Sequence, residues 1–222
     1  MQNIIKKNIY FLVPYLLVGL AATIVIAITA KSSLHLAINQ FNSAFLDVLM
    51  PILTFFGNGW FACALILLFL LIKIRYSLYV LLSWSVSGLV VQLLKHLVFP
   101  HTMRPVPFLS SYALHLVQGI TILKNCSFPS GHAATAFAVF FICSHLVSSR
   151  MIKLLMILAA ILVAFSRTYL SLHFLEDILA GSLIGTVTAI ASVYFTDRIK
   201  AGWTEKALFT LPVKSNRNGA VD

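Results

Sequence analysis

The chain has 222 residues, 60% of them hydrophobic and only 10% charged. A soluble domain carries about 25% charged residues, so composition excludes a water-soluble globular fold: this much apolar surface cannot be hidden in a core of this size. The formal net charge of +10 would point to nucleic acid in a soluble protein, but no basic stretch here is interleaved with exposed aromatics. No nucleic-acid partner is expected, and the charge reads as Lys and Arg flanking membrane spans together with sites that hold anions.

A spanning helix needs about 20 mostly apolar residues. Taken in chain order, the sequence predicts spans over Ile9–Ala30, Trp60–Ile74 (extended by the apolar residues before it), Leu78–Phe99, Gly131–Val147, Met151–Tyr169 and Asp177–Phe195. The fold class is therefore all-α, a polytopic membrane helical bundle with six transmembrane helices. Phe41–Phe56 is too short to span beside its neighbour. With Asp47 and Pro51 it reads either as an interfacial helix after the first span or as an extended first turn of the second. The first span exceeds the usual apolar core of a signal peptide, and no clear A-x-A site follows it. Residues 1–202 are expected to form one transmembrane domain and residues 203–222 a polar, disordered cytoplasmic tail. Cys63 and Cys143 lie in apolar runs and Cys126 in a polar connection, so neither a disulfide framework nor a CxxC metal pair is present.

Eleven Lys and Arg fall on the side that holds Lys6, Lys73, Arg150 and Arg198, and five on the other: Lys31, Lys95, Arg104, Lys124 and Arg167. The positive-inside rule then makes the first side cytoplasmic, with both termini inside. Charged groups at membrane depth are functional candidates by default, and here they collect on the outer side. One cluster runs from Lys95 to His132 and contains His96, His101, Arg104, Pro105 and Ser130. The other runs from Ser166 to Asp177 and contains Arg167, His173 and Glu176.

Two arginines and a lysine suit a doubly charged tetrahedral anion, because a guanidinium fork makes paired bonds to phosphate oxygens. Ser130-Gly131 opens a helix, where unpaired N–H groups point at an anion and glycine allows close approach. His173 and Asp177, four apart, share one helix face. A carboxylate there can take the Nδ1 proton and leave Nε2 outward as a nucleophile. His132 supplies a second imidazole that can act as general acid. Arginines can stabilise the equatorial oxygens, so no metal or cofactor is expected. His96 and His101 are poorly spaced for metal ligation, although His101 can line the site. Glu176 falls on another face from Asp177 and reads as solvated. His35, His115 and His145 have no partner that the sequence names. Gly181 and Gly185 form a Gly-x-x-x-Gly that reads as close helix packing.

These residues carry a resemblance to the type 2 phosphatidic acid phosphatase superfamily, whose members include membrane lipid phosphatases and soluble vanadium haloperoxidases. Its second motif is present as Pro129-Ser130-Gly131-His132. Its third is present without deviation as Ser166-Arg167, His173 and Asp177. Its first, Lys, six residues, Arg-Pro, is altered: Arg104-Pro105 is present, but position 97 is Leu97 and eight residues separate Lys95 from Arg104. Lys95 can still reach the site if Pro100 bends the segment back. The resemblance implies that His173 forms a phosphohistidine oriented by Asp177. It implies that His132 protonates the leaving group and then activates water. Arg104, Arg167, Ser130, Gly131 and Lys95 would hold phosphate.

The expected protein is thus a membrane lipid phosphatase whose partner is a phosphorylated lipid. The candidates are undecaprenyl pyrophosphate, lipid A phosphates, phosphatidic acid and phosphatidylglycerol phosphate, with selectivity arising from Phe108, Tyr112, Leu114 and the rest of the connection between Pro105 and Lys124. A bacterial inner membrane with the site facing the periplasm fits the charge pattern, as would an internal eukaryotic membrane with a luminal site. The alternatives are a lipid phosphotransferase using the same histidine and a non-catalytic anion or lipid transporter. The haloperoxidase branch is disfavoured because those relatives are soluble.

Overall fold

In the computed structural model, residues 1–210 are described. Among them every regular element is a helix. The helices are α1 (Gln2–Lys7), α2 (Ile9–Ile28), α3 (Lys31–Gln40), α4 (Ala44–Phe55), α5 (Gly59–Ile72), α6 (Ile74–Leu93), α7 (Pro105–Phe108), α8 (Gly131–Leu146), α9 (Arg150–Tyr169) and α10 (Leu175–Thr196). A π-helical turn, Leu94–Val98, prolongs α6.

Among the described residues four helices are long and apolar enough to cross a membrane, α2, α6 with its π turn, α9 and α10, and the bent pair of α3 and α4 makes a fifth if taken as one span. The shorter α5 and α8, with 14 and 16 residues, occupy the other two predicted spans. Large apolar side chains stay exposed on the outer faces, among them Leu16, Leu17 and Leu20 of α2, Leu67 and Leu71 of α5, and Leu183 and Val187 of α10. A water-soluble protein rarely exposes so much contiguous apolar surface; this one is an integral membrane protein.

Of the two readings left open for Phe41–Phe56, a separate helix forms. α4 starts at Ser43, whose hydroxyl accepts from the backbone N–H of Leu46, and Asn58 caps α5 independently. α3 was not anticipated, because Lys31, Ser32, Ser33, His35, Asn39 and Gln40 make it too polar to register as a span. It meets α4 at a bend of 116°.

α8 is the central post. Most of its side chains are buried, and it packs against α10, α9 and α6. Its first half carries Ala133, Ala134, Ala136 and Ala138, and α10 faces it with Gly181 and Gly185. A Cβ on Gly181 would lie 2.3 Å from the Ser130 carbonyl oxygen, and one on Gly185 2.2 Å from that of Ala134. The Gly-x-x-x-Gly therefore serves packing within the chain, bringing two helix backbones together.

The helix ends around Arg75 are tied by polar bonds. Arg75 donates to the carbonyls of Thr196 (2.9 Å) and Ile199 (2.8 Å) and to the Thr204 hydroxyl (2.9 Å), and pairs with Glu205. The disorder expected from Trp203 onward thus does not extend to residues 203–210, which form two short 3-10 turns against α5 and α6. The rest of the expected tail, residues 211–222, lies outside the described residues.

Overpacking a close contact costs about 1–3 kcal/mol. Gly181→Ala is accordingly expected to lower the thermal midpoint of the detergent-solubilised protein measurably. An unchanged midpoint would mean that α8 and α10 do not approach as described.

Candidate active site

The close approach of α8 and α10 sets two predicted motifs against each other. The Ser130 N–H donates to the Asp177 carbonyl at 2.9 Å, so the start of α8 is pinned to the start of α10. Ser130 is the N-cap of α8 and accepts from the Ala133 N–H. His132 follows in the first turn, which leaves it beside the turn Leu170–Phe174 between α9 and α10.

That turn carries His173. Both His173 and Asp177 are buried, and His173 Nδ1 lies 3.3 Å from Asp177 Oδ2. The same carboxylate oxygen accepts from the Ser127 hydroxyl at 2.5 Å and from the Phe174 N–H at 2.9 Å. Three donors fix the carboxylate, and the carboxylate in turn directs Nδ1 inward and Nε2 away. Ser127 was not singled out from sequence; its place two residues before Pro129 was the available signal. Burial pushes the His173 pKa down to about 3 against the raising influence of Asp177, with Arg104 and Arg167 adding to the depression. The imidazole is therefore neutral at pH 7 and keeps a free lone pair.

Arg104 is buried at the start of α7. Its guanidinium donates to the carbonyls of Leu172 (3.0 Å), Asn125 (3.1 Å) and Cys126 (3.5 Å). Three of its five N–H groups thereby stitch the Lys95–His132 connection to the His173 turn, and two remain for an anion. Arg167, in the last turn of α9, donates to the Thr54 hydroxyl at 2.8 Å. Its Nε is buried without a partner among the described residues.

Lys95 sits in the π-helical turn, where the Phe99 N–H reaches back to the Leu94 carbonyl at 2.8 Å. Such turns absorb extra residues within a helix, and the longer spacing between Lys95 and Arg104 is taken up here and at the turn around Pro100. Lys95 joins the cluster: Arg104, Asp177 and Arg167 are among the charges that act on it. Likewise, Arg167, His173, Lys95 and Arg104 act on His132. His101 and His96 are exposed and outside this arrangement. Glu176, expected to be solvated, pairs with Lys31, which gives that lysine a counter-ion.

Three cations therefore surround one carboxylate and two imidazoles, a balance suited to a tetrahedral dianion. Among the described residues no three His, Cys, Asp or Glu converge to hold a metal ion. A cleft of about 400 Å³ between α5, α6 and α8 reaches the cluster, lined by Gly57, Trp84, Gly88, Gln92, Gly131 and His132.

An all-helical membrane protein in which cations converge on a carboxylate-oriented histidine is the class that fold and geometry define. Residues 76–201, more than half the chain, match the sequence profile of the PAP2 superfamily, and the chain belongs to that family. YbjG of Escherichia coli (strain K12), assigned as an undecaprenyl-diphosphatase, is 33% identical over 127 residues, which cover 55% of this chain and 55% of YbjG. Phosphatidylglycerophosphatase B of Bacillus subtilis (strain 168) is 36% identical over 86 residues, covering 35% of this chain and 42% of that protein. The chain thus spans about half the length of the curated relatives it matches. Among solved structures, Aquifex aeolicus LpxE superposes with a TM-score of 0.66 at 27% identity, covering 73% of this chain and 93% of that one. A transmembrane PAP2-type phosphatidylglycerolphosphate phosphatase from Bacillus subtilis superposes with a TM-score of 0.63 at 24% identity, covering 88% and 98%; that likeness is one of fold.

Removing a hydrogen bond to a charged partner costs about 1.5–3 kcal/mol. Tungstate, a tetrahedral dianion, is accordingly expected to bind the purified protein, and Arg167→Ala to weaken it by about tenfold or more in titration calorimetry. Equal affinities for the two proteins would remove Arg167 from the anion site.

Proposed function

We propose that this protein is a membrane lipid phosphatase that works through a phosphohistidine. The observation that carries the reading is the buried His173–Asp177 pair, closed off by Ser127 and facing the cations of three separate segments. In the first step His173 Nε2 attacks phosphorus and the bond from phosphorus to the lipid oxygen breaks. His132 gives its proton to that oxygen. In the second step His132 takes a proton from water, the water oxygen attacks phosphorus, and the N–P bond breaks to release phosphate and neutral His173. Arg104, Arg167 and Lys95, with Ser130 and the backbone at Gly131, hold the equatorial oxygens in both steps. Asp177 keeps the imidazole oriented as positive charge develops on it.

In this reading the chain has six spans with both termini cytoplasmic, and the site lies at the outer face. α5 and α8, at 1.5 Å per residue, are about 21 and 24 Å long, and the flanking polar turns make up the remaining membrane thickness. The excess of Lys and Arg at the opposite end supports the orientation. A bacterial inner membrane with the site in the periplasm is the compartment this favours. The substrate is a lipid phosphomonoester or pyrophosphate. Undecaprenyl pyrophosphate and phosphatidylglycerol phosphate draw support from the relatives' names, and lipid A phosphates and phosphatidic acid complete the set. In-line displacement puts the leaving oxygen on the His132 side, where the α5–α6–α8 cleft begins, so the lipid portion extends into that cleft.

The deciding assay is phosphate release from these four lipids in detergent, with chelator present, beside His173→Ala. Release from one lipid, lost in the variant, is expected. Phosphate passed to an acceptor lipid instead would mark a phosphotransferase, and no turnover of any lipid by folded protein would leave only an anion-binding role.

A Cβ on Gly88 would meet nothing within 4 Å, so a larger side chain there intrudes on the cleft without displacing backbone. Gly88→Phe is expected to raise KM for the long-chain lipid about tenfold while sparing a short water-soluble phosphate ester. Equal effects on both would place the lipid elsewhere.

A further inference from the structure

The two helices least visible in the sequence, α3 and α4, grip the turn that bears His173 at successive points. Thr54 accepts from Arg167 at 2.8 Å. Asp47 accepts from the Tyr169 hydroxyl at 2.6 Å. Ser171 Oγ hydrogen-bonds to His35 Nε2 at 3.1 Å and accepts from Asn39 at 3.4 Å. His35 also sets its ring edge against Phe174, with centroids 5.3 Å apart, and the Lys31 ammonium lies 3.9 Å from the centre of that same ring.

Ser171 is the sensitive point. It is buried, it lies two residues before His173, and its φ is +53°. A side chain other than glycine rarely adopts that left-handed conformation, and it persists only where the surroundings over-determine it. Main-chain bonds supply part of that constraint, from the Ser171 N–H to the Thr168 carbonyl (3.0 Å) and from the Leu172 and His173 N–H groups to the Arg167 carbonyl (2.9 and 3.2 Å); the two bonds to the Ser171 hydroxyl supply the rest, and both come from α3. The same hairpin also holds the other outer connection. Asn39 bonds both backbone groups of His115, at 2.9 and 2.8 Å, and Asp47 accepts from His115 Nε2 at 2.9 Å.

We propose that the α3–α4 hairpin is the positioning element of this site: His35 and Asn39, through the Ser171 hydroxyl, hold the turn that presents His173, while Asn39 and Asp47 register the segment around His115 against it. The proposal rests on the phosphatase reading. His35, Asn39 and Asp47 touch none of the reacting groups, so their effect on the reaction passes through Ser171, Tyr169 and His115. A buried histidine that merely fills space against Phe174 would instead act by packing alone, and glycine at position 171 separates the two roles. It adopts a φ of +53° without help, so it replaces what His35 does for the backbone but nothing of what His35 does for packing.

The test uses full-length protein in detergent with whichever of the four lipids the wild type cleaves. A displacement of the turn costs rate at the chemical step. His35→Ala is expected to lower kcat about tenfold or more with KM within about twofold, and the double variant His35→Ala/Ser171→Gly to recover most of that loss. Ser171→Ala, which removes only the hydroxyl, is expected to lose as much as His35→Ala, whereas Ser171→Gly stays close to wild type. The Ser171 pair decides the matter alone if His35→Ala does not fold. Undiminished kcat in His35→Ala, a loss that glycine does not recover, or equal rates for Ser171→Ala and Ser171→Gly would overturn the proposal. A wild type inert on all four lipids would count against the phosphatase reading instead. The order of tungstate affinities across the same variants would then decide the positioning role, with the same ranking expected.

Discussion

Everything around His132 and His173 depends on the distance between α8 and α10. Gly181 and Gly185 let the α10 backbone approach the carbonyls of Ser130 and Ala134 more closely than any side chain would permit, and the alanines of α8 complete the fit. That approach allows the Ser130 N–H to bond the Asp177 carbonyl, which locks one predicted motif to the other. In a bilayer, where apolar burial between helices adds little, small residues of this kind are what hold helices together. Packing and site geometry are therefore one constraint.

A largely apolar chain here keeps three cations and two imidazoles together. Arg104 is steadied by carbonyls from both outer connections, Arg167 by a threonine of α4, and Asp177 by three donors. Arg104, Arg167 and the His173–Asp177 pair are each oriented by protein groups, so this part of the arrangement is preorganised, and in a low-dielectric site fixed charges act strongly on a charge that develops during reaction. The α3–α4 hairpin extends the same logic, bonding to Arg167 and Tyr169 at the end of α9 and to Ser171 in the turn that follows.

A run of about 20 apolar residues is a one-dimensional signal, and a helix forms within a few residues of each of the six places where the sequence showed one; four of these helices are long enough to cross a membrane. The sequence also showed which residues could share an anion site, because His173 and Asp177 are neighbours on one helix turn and the motif around His132 is compact. α3 stayed hidden: its polar residues carry no span signal, and their partners at Ser171 and His115 lie 132 and 76 positions away. Ser127, His35 and Asp47 stayed hidden for the same reason.

Composition and periodicity by themselves thus determined that the chain lives in a membrane as a helical bundle, and the motifs marked two clusters of residue types suited to phosphate. Only the tertiary structure decided that the clusters meet, that a π-helical turn brings the displaced Lys95 among them, and that Glu176 is paired with Lys31 rather than solvated. The physical reason is one of range. Helix formation and hydrophobicity are set by residues a few positions apart, whereas the site is set by hydrogen bonds and backbone approaches between segments whose separation only the folded chain closes.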